Sequence, residues 1–366
     1  MRGTILLVAA LGAAAPGLAR ADEDAPAAGT APPPPAAQAE KEEDGDRKQG
    51  VGVDAELTVV YTSNVFREQA RRLDDFDSKN DPGERFEDME GPGDVYARPA
   101  LGIDWTNKVG SGRRLKLSAG ADFTAYARNG IANYATLEAG GSFDVTKHDR
   151  LGLEVEFIPR RFKENYFNDV GGTKVFDRAY YLQVAPELSY RREWTKRWAT
   201  ELLYELSLRR FEDPFPHRDV TTHSFALLLA RELSGRVTVK LGPEVAFARV
   251  DEHMEFGATV DRSHTDLGAL GALELNLRHG WAAEAEVEYK RKSYGSDDPA
   301  DDAHHERRDD GLYLDAEVRK RMTHTWYLTG MTGLTVVKSN RDDPTIDADD
   351  YGYTELVVGV GGLAKF

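Results

Sequence analysis

The feature that most limits what this chain can become is a two-residue alternation that begins at Val51 and persists to the last residue. Val51, Val53, Ala55, Leu57, Val59 and Tyr61 alternate with Gly52, Asp54, Glu56, Val60 and two polar neighbours. A period of two sends successive side chains to opposite faces, so the segment reads as a strand with one apolar and one polar face. The same stripe returns on the odd positions of Leu115–Ala125, Leu151–Phe157, Val237–Phe247, Leu267–Leu277 and Trp281–Tyr289, with turn residues between copies. About fourteen such segments of roughly ten to fourteen residues follow one another, the length a tilted strand needs to cross a bilayer.

The expected strands are 51–63, 94–106, 113–126, 133–145, 150–160, 178–191, 197–210, 220–232, 236–249, 265–278, 280–292, 311–321, 325–338 and 352–366. Their connections alternate in length. Residues 64–93, 161–177, 211–219, 250–264, 293–310 and 339–351 are long and polar, whereas tight turns fall near 108–112, 147–149, 193–197, 233–235, 278–280 and 322–325. Long outer loops and short periplasmic turns are the pattern of an outer-membrane barrel, and an even strand count leaves both ends on the periplasmic side.

Composition agrees once it is read against that pattern. The 366 residues contain no Cys, which excludes a disulfide scaffold, thiolate-ligated metals, a Cys nucleophile and a lipid anchor on an N-terminal Cys. A net charge of -16 argues against a nucleic-acid partner, which would bring a basic stripe. A mean hydropathy of -0.54 excludes a helical membrane protein only, because a membrane barrel turns half its strand residues toward water.

Residues 1–21 read as a secretory leader: Arg2, a short apolar run from Ile5 to Ala15, and small residues at Ala19 and Ala21, with cleavage expected after Ala21. Residues 22–50 hold four consecutive prolines, Pro32–Pro35, and the charged run Glu40–Asp44. That composition cannot offset its ordering entropy and predicts a disordered periplasmic tether. Residues 51–366 form the barrel.

Trp105, Phe143, Tyr190, Trp198, Trp281, Trp326 and Phe366 fall on outward parity beside the short turns, as one interfacial girdle. Tyr61, Phe123, Phe157, Tyr180, Tyr204, Phe247 and Tyr289 lie toward the long loops as the other. Leu356, Val358, Val360, Gly362, Ala364 and Phe366 share one face of the last strand. A terminal Phe there resembles the assembly signal read by the barrel-assembly machinery. Pro99, Pro186 and Pro243 lie mid-strand and each should mark a bulge or a local break. In 220–232 both faces carry apolar residues, so its facing is open.

The polar parity is charged. Its lining candidates are Glu56, Arg98, Arg114, Lys116, Asp122, Glu138, Glu154, Glu156, Glu187, Glu201, Glu205, Lys240, Glu284, Glu286, Glu288 and Arg319. A charge facing hydrocarbon costs roughly 2–4 kcal/mol at the midplane, so these groups face water or each other. They imply either an aqueous lumen biased toward cations or ion-pair ladders bracing a closed barrel. Fourteen strands about 4.8 Å apart, tilted about 40°, give a backbone cylinder roughly 28 Å across, of which on the order of 10 Å is left by side chains.

The loop with Asp297, Asp298, Asp301, Asp302, His304 and His305 and the loop with Asp342, Asp343, Asp347, Asp349 and Asp350 are acidic enough for divalent cations but match no ligand register. No metal or other cofactor is expected. Neither is catalysis, because the adjacent His223 and Ser224 point to opposite strand faces.

Tyr61-Thr62-Ser63-Asn64-Val65-Phe66-Arg67 resembles the Tyr-x-x-Asn-Val-Phe/Tyr-Arg signature of an outer-membrane porin family, and Arg98-Pro99-Ala100-Leu101 resembles that group's Arg-x-Pro-Gly-Leu, with Ala100 where Gly is usual. Some members accompany exopolysaccharide export. The resemblance implies no catalytic residues. The fold expected is all-β: a transmembrane antiparallel barrel of about 14 strands (12–16 allowed), exported to the cell outer membrane. The function expected is passive diffusion of ions or small saccharides. The alternatives are a polysaccharide-export accessory and a structural barrel whose loops bind lipopolysaccharide or another partner.

Overall fold

The computed structural model describes residues 49–67, 89–110, 112–170, 173–255, 258–301, 303–340 and 352–366. The leader, nearly all of the tether, the centre of the first long loop, Asp302 and the acidic run 342–350 lie outside the described residues.

Among the described residues sixteen strands form: β1 Gly50–Thr62, β2 Asp94–Val109, β3 Arg113–Tyr126, β4 Tyr134–Asp144, β5 Asp149–Val170, β6 Thr173–Glu193, β7 Trp198–Phe211, β8 Val220–Ser234, β9 Val237–Val250, β10 His253–Glu255, β11 Ala258–Val260, β12 His264–Asn276, β13 Trp281–Tyr294, β14 Arg308–Arg321, β15 Trp326–Ser339 and β16 Thr354–Lys365. Fourteen of them close into one antiparallel barrel, in chain order from β1 to β9, then β12 to β16, and back to β1. β10 and β11 form a separate hairpin on the connection between β9 and β12. Closure pairs each of the fourteen barrel strands on both edges, which is the condition for strands to survive in lipid.

Alternation decides which face is which. Odd positions of β1, β2 and β3 leave large apolar side chains in the open: Val51 is 63% exposed, Leu101 66% and Leu117 47%. The stripe continues around the circumference through Leu153, Leu188, Leu202, Leu227, Leu241, Leu267, Val287, Leu328 and Val360, all exposed. Apolar surface left in water forgoes about 25 cal/mol per Å², and a continuous band of it is foreign to soluble monomers. This exterior is built for hydrocarbon. No helix among the described residues is long and apolar enough to cross a membrane; the strands do the crossing. All five Trp side chains (Trp105, Trp194, Trp198, Trp281 and Trp326) lie at the short-turn end.

The seam between β1 and β16 runs from Asp54 opposite Lys365 to Thr62 opposite Val357. Gly361 lets three backbones meet there: a Cβ would sit 2.7 Å from Thr58 Oγ1, 2.8 Å from Thr329 Oγ1 and 2.9 Å from the Leu57 carbonyl. Phe366 extends the seam beyond β16 by exchanging backbone hydrogen bonds with Val53 at 2.8 and 3.0 Å.

The prolines behave in a common way. Register is continuous through Pro99, Pro186 and Pro243, so none makes a bulge. Each interrupts one ladder while the ladder on its other edge runs on: β2 with β3 skips Arg98 and Pro99, β6 with β7 skips Ala185 and Pro186, and β9 with β8 skips Gly242 and Pro243. The missing N–H faces the skipped side. Next to Pro243 the chains press together, for a Cβ on Gly242 would lie 1.9 Å from the Leu227 carbonyl oxygen.

Three expectations are corrected or completed. Residues 161–177 are no loop: β5 and β6 run on as a hairpin that reaches Val170 opposite Thr173. Register shifts at Ile158/Arg161 and Phe162/Glu164 break the alternation there, which is why a period-two reading stops at residue 160. The connection 250–264 carries the β10–β11 hairpin. The facing of 220–232 is decided: Phe225, Leu227 and Leu229 point out, while Leu228 and Ala230 are buried on the inner side.

Candidate functional site: the inner wall and its long-loop mouth

The face opposite the apolar exterior carries the charges, and strand pairing sorts them into patches. On β4 to β7 the ladder sets Glu138 opposite Glu156, Glu154 opposite Glu187, and Glu187 opposite Glu205. On β12 to β14 it sets Glu274 opposite Glu284, Glu284 opposite Glu317, and Glu286 opposite Asp315. Like charges directly opposite one another destabilise a sheet unless water or a cation screens them. Ser118, Glu154 and Asp315 are inward yet exposed, so solvent reaches this part of the wall.

Basic groups brace the edges of these patches. Lys240, buried, reaches Glu274 at 2.9 Å and Glu201 at 4.0 Å; Arg191 adds a 3.8 Å contact to Glu201. Lys290 bridges Glu244 at 3.1 Å and also Glu288. Arg319 pairs with Glu317 at 2.8 Å, Arg98 with Asp122 at 3.2 Å and Arg114 with Asp144 at 3.6 Å. Glu56 accepts from Thr58 Oγ1 at 2.9 Å. Lys116 stands within electrostatic reach of Glu154. Both sequence-level readings of the charge are thus represented: lateral ion pairs along the wall, and carboxylates that face only other carboxylates across the ladder.

The long-loop mouth is different, and parity arguments about charge overlook it. Tyr96, Tyr126, Tyr134, Tyr181 and Tyr313 occupy inward positions near the upper ends of their strands, and Tyr353 is fully buried beside Tyr313. Tyr96 and Tyr126 have ring centres 5.1 Å apart. Arg161 lies over the Tyr134 ring at 4.4 Å, and Arg209 over the Tyr181 ring at 4.8 Å. The even-numbered tyrosines of β2, β3 and β4 were visible in the sequence as aromatics on a polar face. Tyr181 shares the parity of Glu187 in the expected strand 178–191 and was equally visible; Arg161 was not, because it lies in the segment read as a loop.

Chain beyond the strands packs along the rim of this mouth. The segment resembling the porin signature ends in Arg67, whose φ of 57° turns the backbone. Asn64, 1% exposed, anchors the bend by accepting from Arg67 N at its carbonyl, 3.2 Å, while Val65 N donates to Pro92 O at 2.8 Å. Arg67 Nε reaches Glu355 at 2.9 Å, and Thr62 Oγ1 donates to the other Glu355 oxygen at 2.9 Å. Opposite, Phe215 packs on Ala179 and Phe211. On a third side Arg307 has no exposed surface. It holds Asp309 through two bonds of 3.1 and 3.0 Å and lies 4.5 Å over Tyr294, which His304 also contacts.

Two carboxylates of the acidic loop, Asp298 and Asp301, are used for folding. Asp298 Oδ2 accepts from Thr259 N at 2.8 Å, and this bond with one from Ala300 N holds its pKa below the ordinary carboxylate range. Asp301 shares a 2.8 Å bond with His304 and accepts from Asp261 N at 3.3 Å. Burial would raise its pKa, but the interaction with His304 outweighs this and the carboxyl lies low. Among the described residues no three His, Asp or Glu side chains are grouped to hold a metal ion. His223 Nδ1 is 3.0 Å from the Tyr204 hydroxyl on the outer face.

No family model matches the chain, and neither does any curated protein sequence. Among solved structures the chain is similar to a bacterial polysaccharide outer membrane secretin at 12% identity and a TM-score of 0.42, covering 85% of this chain and 98% of that one. It is also similar to the outer membrane channel DcaP of Acinetobacter baumannii (9%, TM-score 0.47, 87% and 96% covered) and to the CymD monoaromatic hydrocarbon channel (9%, TM-score 0.46, 87% and 89% covered). The class its own structure defines is a closed fourteen-stranded antiparallel barrel, apolar outside and charged within.

Proposed function

We propose that this chain is an outer-membrane channel that lets small hydrophilic solutes, ions first and small saccharides second, diffuse through an acidic-biased lumen. The observation that supports this most is the solvent-reached carboxylate wall: Glu154 and Asp315 are inward and exposed, among carboxylates that the ladder pairs with one another. A barrel braced for structure alone gains nothing from like charges placed directly opposite. In this reading the protein transports and does not catalyse. Its partners are the membrane lipids, lipopolysaccharide around the long loops, and the assembly machinery that reads Phe366. Its N-terminal leader is removed after Ala21.

Single-channel recording across planar bilayers tests it. Steady unitary currents, with a reversal potential showing cation preference in a salt gradient, support the channel. Correctly folded protein that never conducts supports the second reading, a closed structural barrel braced by lateral ion pairs such as Lys240 with Glu274 and Arg98 with Asp122. The segment Tyr61–Arg67, through its resemblance, keeps a role beside exopolysaccharide export in view; unchanged surface polysaccharide after gene deletion would remove that role.

A further inference from the structure

Above the acidic patch of β5 to β7, guanidinium groups and tyrosine rings enter the wall. Arg161 and Tyr181 stand directly opposite on β5 and β6, and Arg209 stands opposite Gln183 two positions along. Each guanidinium covers a ring, Arg161 over Tyr134 and Arg209 over Tyr181. Neither has a carboxylate within ion-pair distance among the described residues: Arg209 donates only to the neutral Gln183 amide oxygen, at 3.2 and 3.4 Å. Glu156 and Glu205 act on them from lower on the same strands at longer range. Arg67 adds a third guanidinium within electrostatic reach of Arg161 and Tyr181, although its own bond goes to Glu355.

A half-buried guanidinium stacked on an aromatic face and lacking a counter-charge is a donor fork that seeks a planar anion. Carboxylates match it through two parallel bonds. The partly buried Tyr134 ring beside Arg161 offers an apolar flank for the body of a ring and a hydroxyl for its edge, while Tyr181, 1% exposed, backs the Arg209 guanidinium from within the wall. We infer that Arg161 and Arg209, with Tyr134 beside them and the buried Tyr181 as backing, form a binding site at the long-loop mouth for a ring-shaped solute bearing a carboxylate, and that the bound solute obstructs the lumen. Passage is disfavoured because the wall beneath carries Glu138, Glu154, Glu156, Glu187 and Glu205, whose field repels an anion. The inference rests on the channel reading for its second half only; binding stands without it.

The test uses the full mature chain, folded in detergent and checked by heat-modified gel mobility. Galacturonate added on the long-loop side is expected to lower the open-channel current of the wild type in a saturable way. Galactose (the ring without the charge) and acetate (the charge without the ring) should leave it unchanged. Benzoate decides between sugar acids and aromatic acids as the source of the shared chemistry. In the double variant Arg161→Gln, Arg209→Gln, block should weaken at least tenfold while the unblocked channel still conducts. Equal block in wild type and variant, or equal block by acetate and galacturonate, overturns the site. If the wild type never conducts, the channel reading fails. The site is then judged by quenching of tyrosine fluorescence, where saturable galacturonate binding lost in the double variant upholds it and no binding overturns it.

Discussion

Neutralising three carboxylates of one patch, Glu154→Gln, Glu187→Gln and Glu205→Gln, gives the most quantitative handle on the wall. The ladder places Glu187 directly between the other two, so a cation beside the patch feels all three together. At roughly 7 Å from each, the attraction is about 0.6 kcal/mol per carboxylate at the permittivity of water. Three contribute about 1.8 kcal/mol, and a Debye length of about 10 Å at 0.1 M salt roughly halves this. The remaining ~0.9 kcal/mol corresponds to a fall of about fivefold in local cation concentration. Reversal potentials in a tenfold potassium chloride gradient should therefore show a several-fold drop in cation-to-anion permeability ratio. At low salt the drop should be larger. Glu252→Gln, on an exposed loop, serves as control and should change nothing. Because the substitutions also relieve opposed like charges, the triple variant should resist urea slightly better than the wild type, by a few tenths of a kcal/mol per pair. A permeability ratio unchanged at both salt concentrations would refute the placement of this patch along the ion path.

Other outcomes follow from particular contacts. Gly361→Val places a side chain against Thr58 Oγ1, Thr329 Oγ1 and the Leu57 backbone, and should lower folding stability in lipid by about 1–3 kcal/mol, read by urea titration. Gly330→Ala, with nothing within 4 Å of its Cβ, should leave that midpoint unchanged. Removing Phe366 should reduce the amount of barrel assembled in cells while protein refolded in vitro keeps its conductance; equal loss in both settings would make the residue structural. Asp301 has a depressed pKa when folded, so its contribution to the loop is full above the ordinary carboxylate range and is lost as pH falls through the lower folded value. Hydrogen exchange of residues 296–307 should accordingly rise only below about pH 4, and a rise beginning near pH 6 would point to His304 instead.

Much of this architecture was written into the alternation itself. Leu117, Val239 and Glu284 announce their faces from sequence because a strand has no third direction. The same rule failed where the backbone departs from strict alternation. The register shifts after Ile158 hid the upper halves of β5 and β6, and with them Arg161. The prolines were readable as interruptions, but which edge they would interrupt depends on the direction of one N–H, which only pairing reveals. The mouth was least legible. Arg67, Phe215 and Arg307 reach it from connections whose paths no periodicity records, and parity tells that a tyrosine points inward but not which guanidinium will lie over it. Carboxylate pairing across strands likewise needed register, since Glu154 and Glu187 lie 33 positions apart in sequence and meet only through the β5–β6 ladder.

The two-faced wall itself is tested most directly by spin labels placed singly along β3, from Leu115 to Ala125, in the folded chain reconstituted in lipid vesicles. Collision with oxygen, which partitions into hydrocarbon, should peak at Leu117, Ala119 and Ala121, and collision with a water-soluble nickel chelate at Lys116, Ser118 and Gly120, two opposed waves of period two. Accessibilities that rise and fall together, or a label at Leu117 shielded from both reagents by protein, would contradict a barrel with lipid outside and water within.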